Sequence, residues 1–314
     1  MIGAMVDPAV AAAPPRPAPR PIDAVPPPTL VLAAVGSVQI GAALAKSLFD
    51  EIGPAGTVFL RVGLAAVLLM VLWRPRVKGL TRADLRLVAA FGLALAGMNL
   101  SFYAALDRLP LGIAVTIEFV GPLGVAVALS RRRTDLAWAL LAGLGVLLLA
   151  EGGGDVDPLG VLLALTAGAF WAAYILLSSR VGRAFAGGQG LALAMVAGTA
   201  VLVPVGVADG GTSLLDPGLL ALGAAVALLS SAIPYSLELE ALRRLPERTF
   251  GILLSTEPAV AALAGFVILG ERLAARELVA MGLVVVACVG AARAARPGGE
   301  GRSDEPVQAG AWAA

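Results

Sequence analysis

The chain contains no histidine and a single cysteine, Cys288. Without imidazole there is no Ser-His-Asp relay, no haem or zinc ligation by histidine and no histidine proton shuttle, so any proton that moves must ride on a carboxylate. One thiol makes neither an intramolecular disulfide nor a cysteine metal site. Charge is scarce as well: 14% of the 314 residues are charged, and the net charge is +1. No G-x-x-x-x-G-K-[ST] loop is present, which argues against ATP-driven work by this chain. The triplet Gly152-Gly153-Gly154, set among acids, is a poor anion cradle and reads as a loop. Nothing here calls for a metal, a cofactor or a nucleic-acid partner, and no nucleophile-base constellation marks an enzyme.

Apolar residues are what the chain has in excess. Hydrophobic residues make up 59% of it, and the mean hydropathy is +0.89, far above a soluble domain. A bilayer span needs about 20 apolar residues. Such runs fall at 30–49, 55–73, 85–105, 111–130, 135–151, 158–178, 189–208, 217–238, 249–269 and 276–294. The fold expected is an all-α polytopic membrane protein with ten transmembrane helices. Residues 1–28 carry nine prolines and only Arg16 and Arg20 as cations, lack the apolar run of a signal peptide, and read as a disordered Pro/Ala-rich tail. Residues 295–314 read as a second disordered tail.

The distribution of cations orients the spans. If the N-terminus is cytoplasmic, eighteen of the 23 Lys and Arg fall on the inside, three (Arg108, Arg272, Arg276) on the outside, and Lys46 and Arg61 within spans. That bias places both termini inside. It also fits an even number of spans.

The sequence repeats itself once. ALDRLPLGIAVTIEFVGP (105–122) returns as ALRRLPERTFGILLSTEP (241–258), 136 residues later with no gap and six of eighteen positions identical. Two prolines and an arginine in register point to duplication. The expected units are 29–151 and 158–294, each of five helices. Five is odd, so the second copy enters the membrane in the opposite sense. Inverted repeats of this kind are a recurring plan of secondary transporters, which bind cargo near the midplane between the halves.

Each repeat places a carboxylate deep in a span: Glu118 four residues ahead of Pro122, and Glu257 directly ahead of Pro258. An ion there costs roughly 2.5–3.5 kcal/mol on insertion scales. Two readings answer that cost. Each glutamate is either structural, as a neutral hydrogen-bonded group or an ion pair with Arg61 or Lys46, or it lines a central cavity and exchanges a proton or holds an ammonium. Glu118 is favoured for the second role, because Pro122 withholds an N–H from the carbonyls beside it. Arg61 is the better of the two intraspan cations for a carboxylate, since guanidinium binds it bidentately. Lys46 sits nearer a span end. Glu238 and Glu240, beside Arg243 and Arg244, read as interfacial pairs.

The remaining polar residues fall on spans one, three, four, six, eight and nine: Gln39, Asn99, Ser101, Tyr103, Thr116, Trp171, Tyr174, Ser230, Ser231, Tyr235, Ser255 and Thr256. Those spans are expected to surround the cavity, although any one of these groups also serves as an interhelical hydrogen bond or belt residue. Spans 135–151 and 276–294 lack polar centres and read as scaffold or homodimer-contact helices.

Four strings carry a family resemblance: SVQIGAALAKSLFD (37–50), GMNLSFYAALDRLPLGIAVTIEFVGPLGVAVALSRRR (97–133), AGAFWAAYIL (167–176) and SSAIPYSLELEALRRLPERTFGILLSTEPAVAALAGFVILGE (230–271). The chain resembles the amino-acid exporters of the EamA branch of the drug/metabolite transporter superfamily over nearly all of 30–294. The resemblance implies a bacterial-type inner-membrane carrier of two five-span repeats. Its implied cargo is small neutral amino acids, threonine and homoserine foremost, exchanged for protons. Glu118, Glu257, Glu238, Lys46 and Arg61 stand where the family pattern has the same residues, whereas Glu240 and the long Pro-rich N-terminus depart from it. The rivals are a carrier of another small metabolite and a membrane scaffold that transports nothing.

Overall fold

The computed structural model describes residues 25–129, 133–150, 156–242 and 244–294. The expected disordered tails, beyond their innermost residues, and the loop at Gly152-Gly153-Gly154 lie outside the described residues. Among the described residues there is no strand. Thirteen helices follow one another: α1 (Pro27–Lys46), α2 (Phe49–Trp73), α3 (Arg82–Leu106), α4 (Leu111–Glu118), α5 (Val120–Leu129), α6 (Arg133–Ala150), α7 (Pro158–Ala184), α8 (Gln189–Gly210), α9 (Pro217–Ala227), α10 (Ile233–Leu242), α11 (Glu247–Leu254), α12 (Glu257–Ala264) and α13 (Ala275–Ala294). A π-turn at Leu228–Ala232 joins α9 to α10.

Among the described residues eight helical stretches are long and apolar enough to cross a bilayer: Pro27–Lys46, Phe49–Trp73, Arg82–Leu106, Leu111–Ala128, Pro158–Ala184, Gln189–Leu215, Thr249–Leu269 and Ala275–Arg293. Leu136–Leu149 and Pro217–Ser231 are apolar but shorter, at 10–17 residues. At 1.5 Å per residue even seventeen residues rise only ~26 Å, less than a hydrocarbon core of ~30 Å. They fall within two of the expected ten spans, 135–151 and 217–238. Beyond Ser231 the second of these stays helical to Leu242, but Glu238 and Glu240 end its apolar character.

The repeated stretch folds the same way twice. Pro110 and Pro246 precede α4 and α11 with matching backbone angles (φ −56°, ψ 143° and φ −59°, ψ 139°). Their fixed φ and missing N–H suit a helix start. The preceding turns close alike, Leu109 N to Ala105 O and Leu245 N to Ala241 O, both at 2.8 Å. α4 and α11 each run eight residues before the chain breaks at Phe119 and at Ser255-Thr256. Pro122 and Pro258 cannot donate to the carbonyls four residues back, at Glu118 and Leu254, and those are where the two short helices stop.

Packing joins the two ends of the chain. α2 lies along α8, α3 along α7, and α6 along α13; α10 packs on α1, and α12 on α4 and on α1. Glycine permits the closest crossing: a Cβ on Gly121 would fall 2.0 Å from the Gly168 carbonyl oxygen, and one on Gly168 would fall 2.7 Å from that of Glu118. α7 therefore lies directly against the break between α4 and α5. The core contains the fully buried Tyr103, Tyr174, Phe91 and Ile113.

Candidate functional site

The breaks after α4 and α11 and the π-turn after α9 meet around a cavity of about 60 Å³. α1 contributes Val38, Gln39 and Ala42; α2 contributes Arg61; α3 contributes Met98, Asn99 and Phe102. The α4 end supplies Val115, Glu118 and Phe119, and α7 supplies Trp171. Ser230 of the π-turn, Glu238 of α10, Leu254 of α11 and Glu257 of α12 complete the wall. At ~15 Å³ of such space per water, it holds about four waters.

Its charged groups do not neutralise one another by contact. Arg61, 9% exposed, donates from Nη1 to Tyr103 Oη at 3.0 Å, with its guanidinium 5.4 Å from that ring's centroid. A cation over an aromatic face keeps its charge while its carbon stem is held. Neither reading that paired Arg61 or Lys46 with Glu118 or Glu257 describes this arrangement. Glu118 has no hydrogen bond or ion pair among the described residues, and lies within electrostatic reach of Glu257 and Arg61. Glu257 accepts one hydrogen bond, from Gln39 Nε2 at 3.2 Å. Phe119 and Trp171 meet edge to face, ring centroids 5.1 Å apart, and form an apolar side of the wall.

Of the residues singled out in the sequence, Glu118, Glu257, Arg61, Gln39, Asn99, Trp171 and Ser230 come together here. Asn99 donates to Leu95 O at 2.9 Å. Tyr103 lies behind Arg61 as its support. Others serve elsewhere. Lys46 donates to Glu271 Oε1 at 2.8 Å and to Leu109 O at 2.9 Å, and Glu271 Oε2 in turn accepts from Leu111 N at 2.8 Å. Lys46 is thus consumed by a corner joining α1, the start of α4 and the segment after α12, and it does not line the cavity. Tyr174 stacks on Phe91, centroids 4.9 Å apart. Ser255 turns back to Gly251 O at 2.9 Å, and the side chain of Tyr235 lies outside the described residues.

Glu238 is the correction of most consequence. The sequence placed it in an interfacial pair; it lines the cavity, 6% exposed, within electrostatic reach of Glu257 and with no hydrogen bond or ion pair among the described residues. Glu240 does pair, through Oε1 to Arg244 Nη2 at 2.7 Å. A π-turn inserts a residue into the helical repeat and rotates everything beyond it, so the face on which residue 238 falls does not follow from helical spacing. The 136-residue offset was a usable signal, because it sets Glu238 against Phe102, and both line the cavity.

The family model of the EamA-like transporters matches residues 158–293. The Threonine/homoserine exporter RhtA of Escherichia coli (strain K12) is 43% identical over 264 residues, covering 83% of this chain and 89% of that protein. The chain belongs to the EamA-like transporter family. The RhtA protein of Salmonella typhimurium (strain LT2) matches at the same identity and coverage. A crystal structure 18% identical to the chain aligns with a TM-score of 0.58 over 86% of this chain and 98% of that one, a likeness of fold. As an EamA-like transporter the chain is a multi-pass membrane protein that carries rather than converts its cargo, and a cavity whose charges, among the described residues, form no ion pair with one another is the feature such a carrier needs.

Proposed function

We propose that the protein is a secondary exporter of small neutral amino acids, threonine and homoserine first, which exchanges them for protons by alternating access. One observation carries the reading: an arginine and glutamates line the same small cavity, with no ion pair among them. A zwitterion presents the complementary charges. Its carboxylate meets Arg61 and its ammonium meets Glu118 or Glu257, which replaces the hydration both lose on entry. Protons arriving from outside compete for the carboxylates and release the cargo. The exporter names of the relatives support the amino-acid class.

The architecture that goes with this is ten spans in two inverted repeats, 29–151 and 158–294, between cytoplasmic tails in an inner membrane. The packing supports a two-fold relation, since exchanging the halves maps one contact onto another: α3 on α7 becomes α10 on α1, and α5 on α7 becomes α12 on α1. The exposed Leu136, Leu140, Leu144 and Leu147 give α6 an apolar outer face for lipid or for a second copy in a homodimer. The test is release of labelled threonine from proteoliposomes holding the purified chain, with and without a proton gradient. Release stimulated by the gradient and competed by homoserine is expected; no release under either condition from folded, inserted protein rejects the amino-acid assignment.

A further inference from the structure

Charge explains how the cavity would hold the backbone ends of an amino acid, but it leaves three other polar atoms unaccounted for. Among the described residues four buried side-chain polar atoms have no hydrogen-bond partner: Gln39 Oε1, Trp171 Nε1, Ser230 Oγ and Trp138 Nε1. The first three belong to residues of the cavity wall, and the fourth lies apart, over Gly290 where α6 meets α13. Gln39 and Ser230 are each 2% exposed. Buried polar groups are ordinarily paired, because leaving one unpaired forfeits its hydration without return. Three unpaired atoms on side chains that wall one small cavity therefore point to a ligand.

The chemistry of the three is specific. Gln39 Oε1 only accepts, Trp171 Nε1 only donates, and the Ser230 hydroxyl does either. An alcohol, with one hydrogen to give and two lone pairs to receive, matches that set; a methyl group matches none of it. The positions are also built. Ser37 Oγ donates to Leu229 O at 2.7 Å and ties the π-turn to α1. A Cβ on Gly41 would fall 2.4 Å from Ser230 Oγ, so the bare glycine makes room for that hydroxyl. Gln39 is oriented by the bond its Nε2 gives to Glu257, which leaves Oε1 for something else.

Resting on the amino-acid reading above, we infer that Ser230, Gln39 and Trp171 form a subsite that reads the side-chain hydroxyl of the cargo, and that this subsite sets the preference for hydroxy-amino acids. Arg61 and the glutamates hold what all amino acids share. The three neutral groups distinguish threonine from valine, its near-isostere with a methyl in place of the hydroxyl, and homoserine from norvaline. A site that bonds a hydroxyl rejects the analogue lacking it, since the site's own polar groups are then stranded.

The experiment compares release of labelled threonine, valine, homoserine and norvaline from proteoliposomes holding the full chain, wild type and Ser230→Ala. Wild type is expected to favour each hydroxylated member by about tenfold or more. Ser230→Ala is expected to lower threonine release by about tenfold while leaving valine within about twofold. Equal release within both pairs by wild type overturns the inference and leaves the exporter reading standing, as does a variant that keeps the full preference. If Ser230→Ala is not recovered folded, the wild-type pairs decide alone. Release of none of the four by folded, inserted wild type rejects the exporter reading itself.

Discussion

The corner beside α4 and the cavity both bring charged side chains together away from bulk water, and they are built differently. At the corner beside α4, Lys46 and Glu271 lie 2.8 Å apart, their side chains 23% and 14% exposed. Both Glu271 oxygens and the Lys46 ammonium have protein partners, including the carbonyl of Leu109 and the N–H of Leu111. In the cavity, among the described residues, Glu118 and Glu238 have no such partner, Glu257 has one, and Arg61 turns to a tyrosine. A network closed on itself has nothing left to offer a ligand. One left open is costly until something binds, which is what a carrier that must take up and release its cargo requires.

If that contrast is correct, the two places respond oppositely to substitution. The largest effect expected is on transport: Glu118→Gln should insert and fold like wild type yet reduce gradient-driven threonine release by about 100-fold or more, the scale of losing an essential proton-transfer group. Unchanged release in the proteoliposome assay would remove Glu118 from the account. Next comes Lys46→Met, which breaks the closed corner and strands Glu271. It should destabilise the protein by about 2 kcal/mol, less than a fully buried pair because both side chains are partly wet. The readout is thermal unfolding in detergent, and the ratio of threonine to valine release should not move. A changed ratio with unchanged stability would assign Lys46 to the cargo site after all.

The smallest effect belongs to a surface pair. Arg108 Nη1 donates to Asp157 Oδ2 at 2.7 Å, and Asp157 also caps α7 by accepting from Leu159 N at 2.8 Å. The hydrogen bond from Arg108, helped by that of Leu159, holds the Asp157 carboxyl below its usual range. Its folded pKa is lowered, so its contribution is present above the ordinary aspartate value and is lost as pH falls through the lowered one. Asp157→Asn should therefore flatten a small part of the acid limb of a melting-temperature profile and leave the neutral region nearly unchanged. An identical acid limb would show that the pair contributes nothing measurable.

The same contrast explains what could be read in advance. Glu118, Glu257 and Arg61 stand out in a sequence because ionisable groups inside apolar runs are rare, and Pro110 and Pro246 mark helix starts by their own covalent geometry. Helix identity and the breaks near Pro122 and Pro258 are local matters of this kind. Lys46 was the weaker of the two intraspan cations but still a candidate, and its exclusion depends on Glu271, 225 residues further on, which only the folded chain brings to it. Glu238 depends on the π-turn at Leu228–Ala232, whose extra residue no periodicity in the sequence announces. The spans at 135–151 and 217–238 have apolar helical portions shorter than the rest, because charged residues inside the expected bounds end their apolar character before the helix itself ends.

The central claim is that the open charges of the cavity bind a zwitterion, and Arg61 tests it most directly. The measurement is equilibrium binding of labelled threonine to the purified chain, wild type against Arg61→Gln, with folding checked by thermal midpoint. Losing a charge-assisted hydrogen bond to the carboxylate should weaken binding by about 30-fold, some 2 kcal/mol. Equal affinity in a folded variant would contradict the account, because the cargo would then sit somewhere other than between Arg61 and the glutamates.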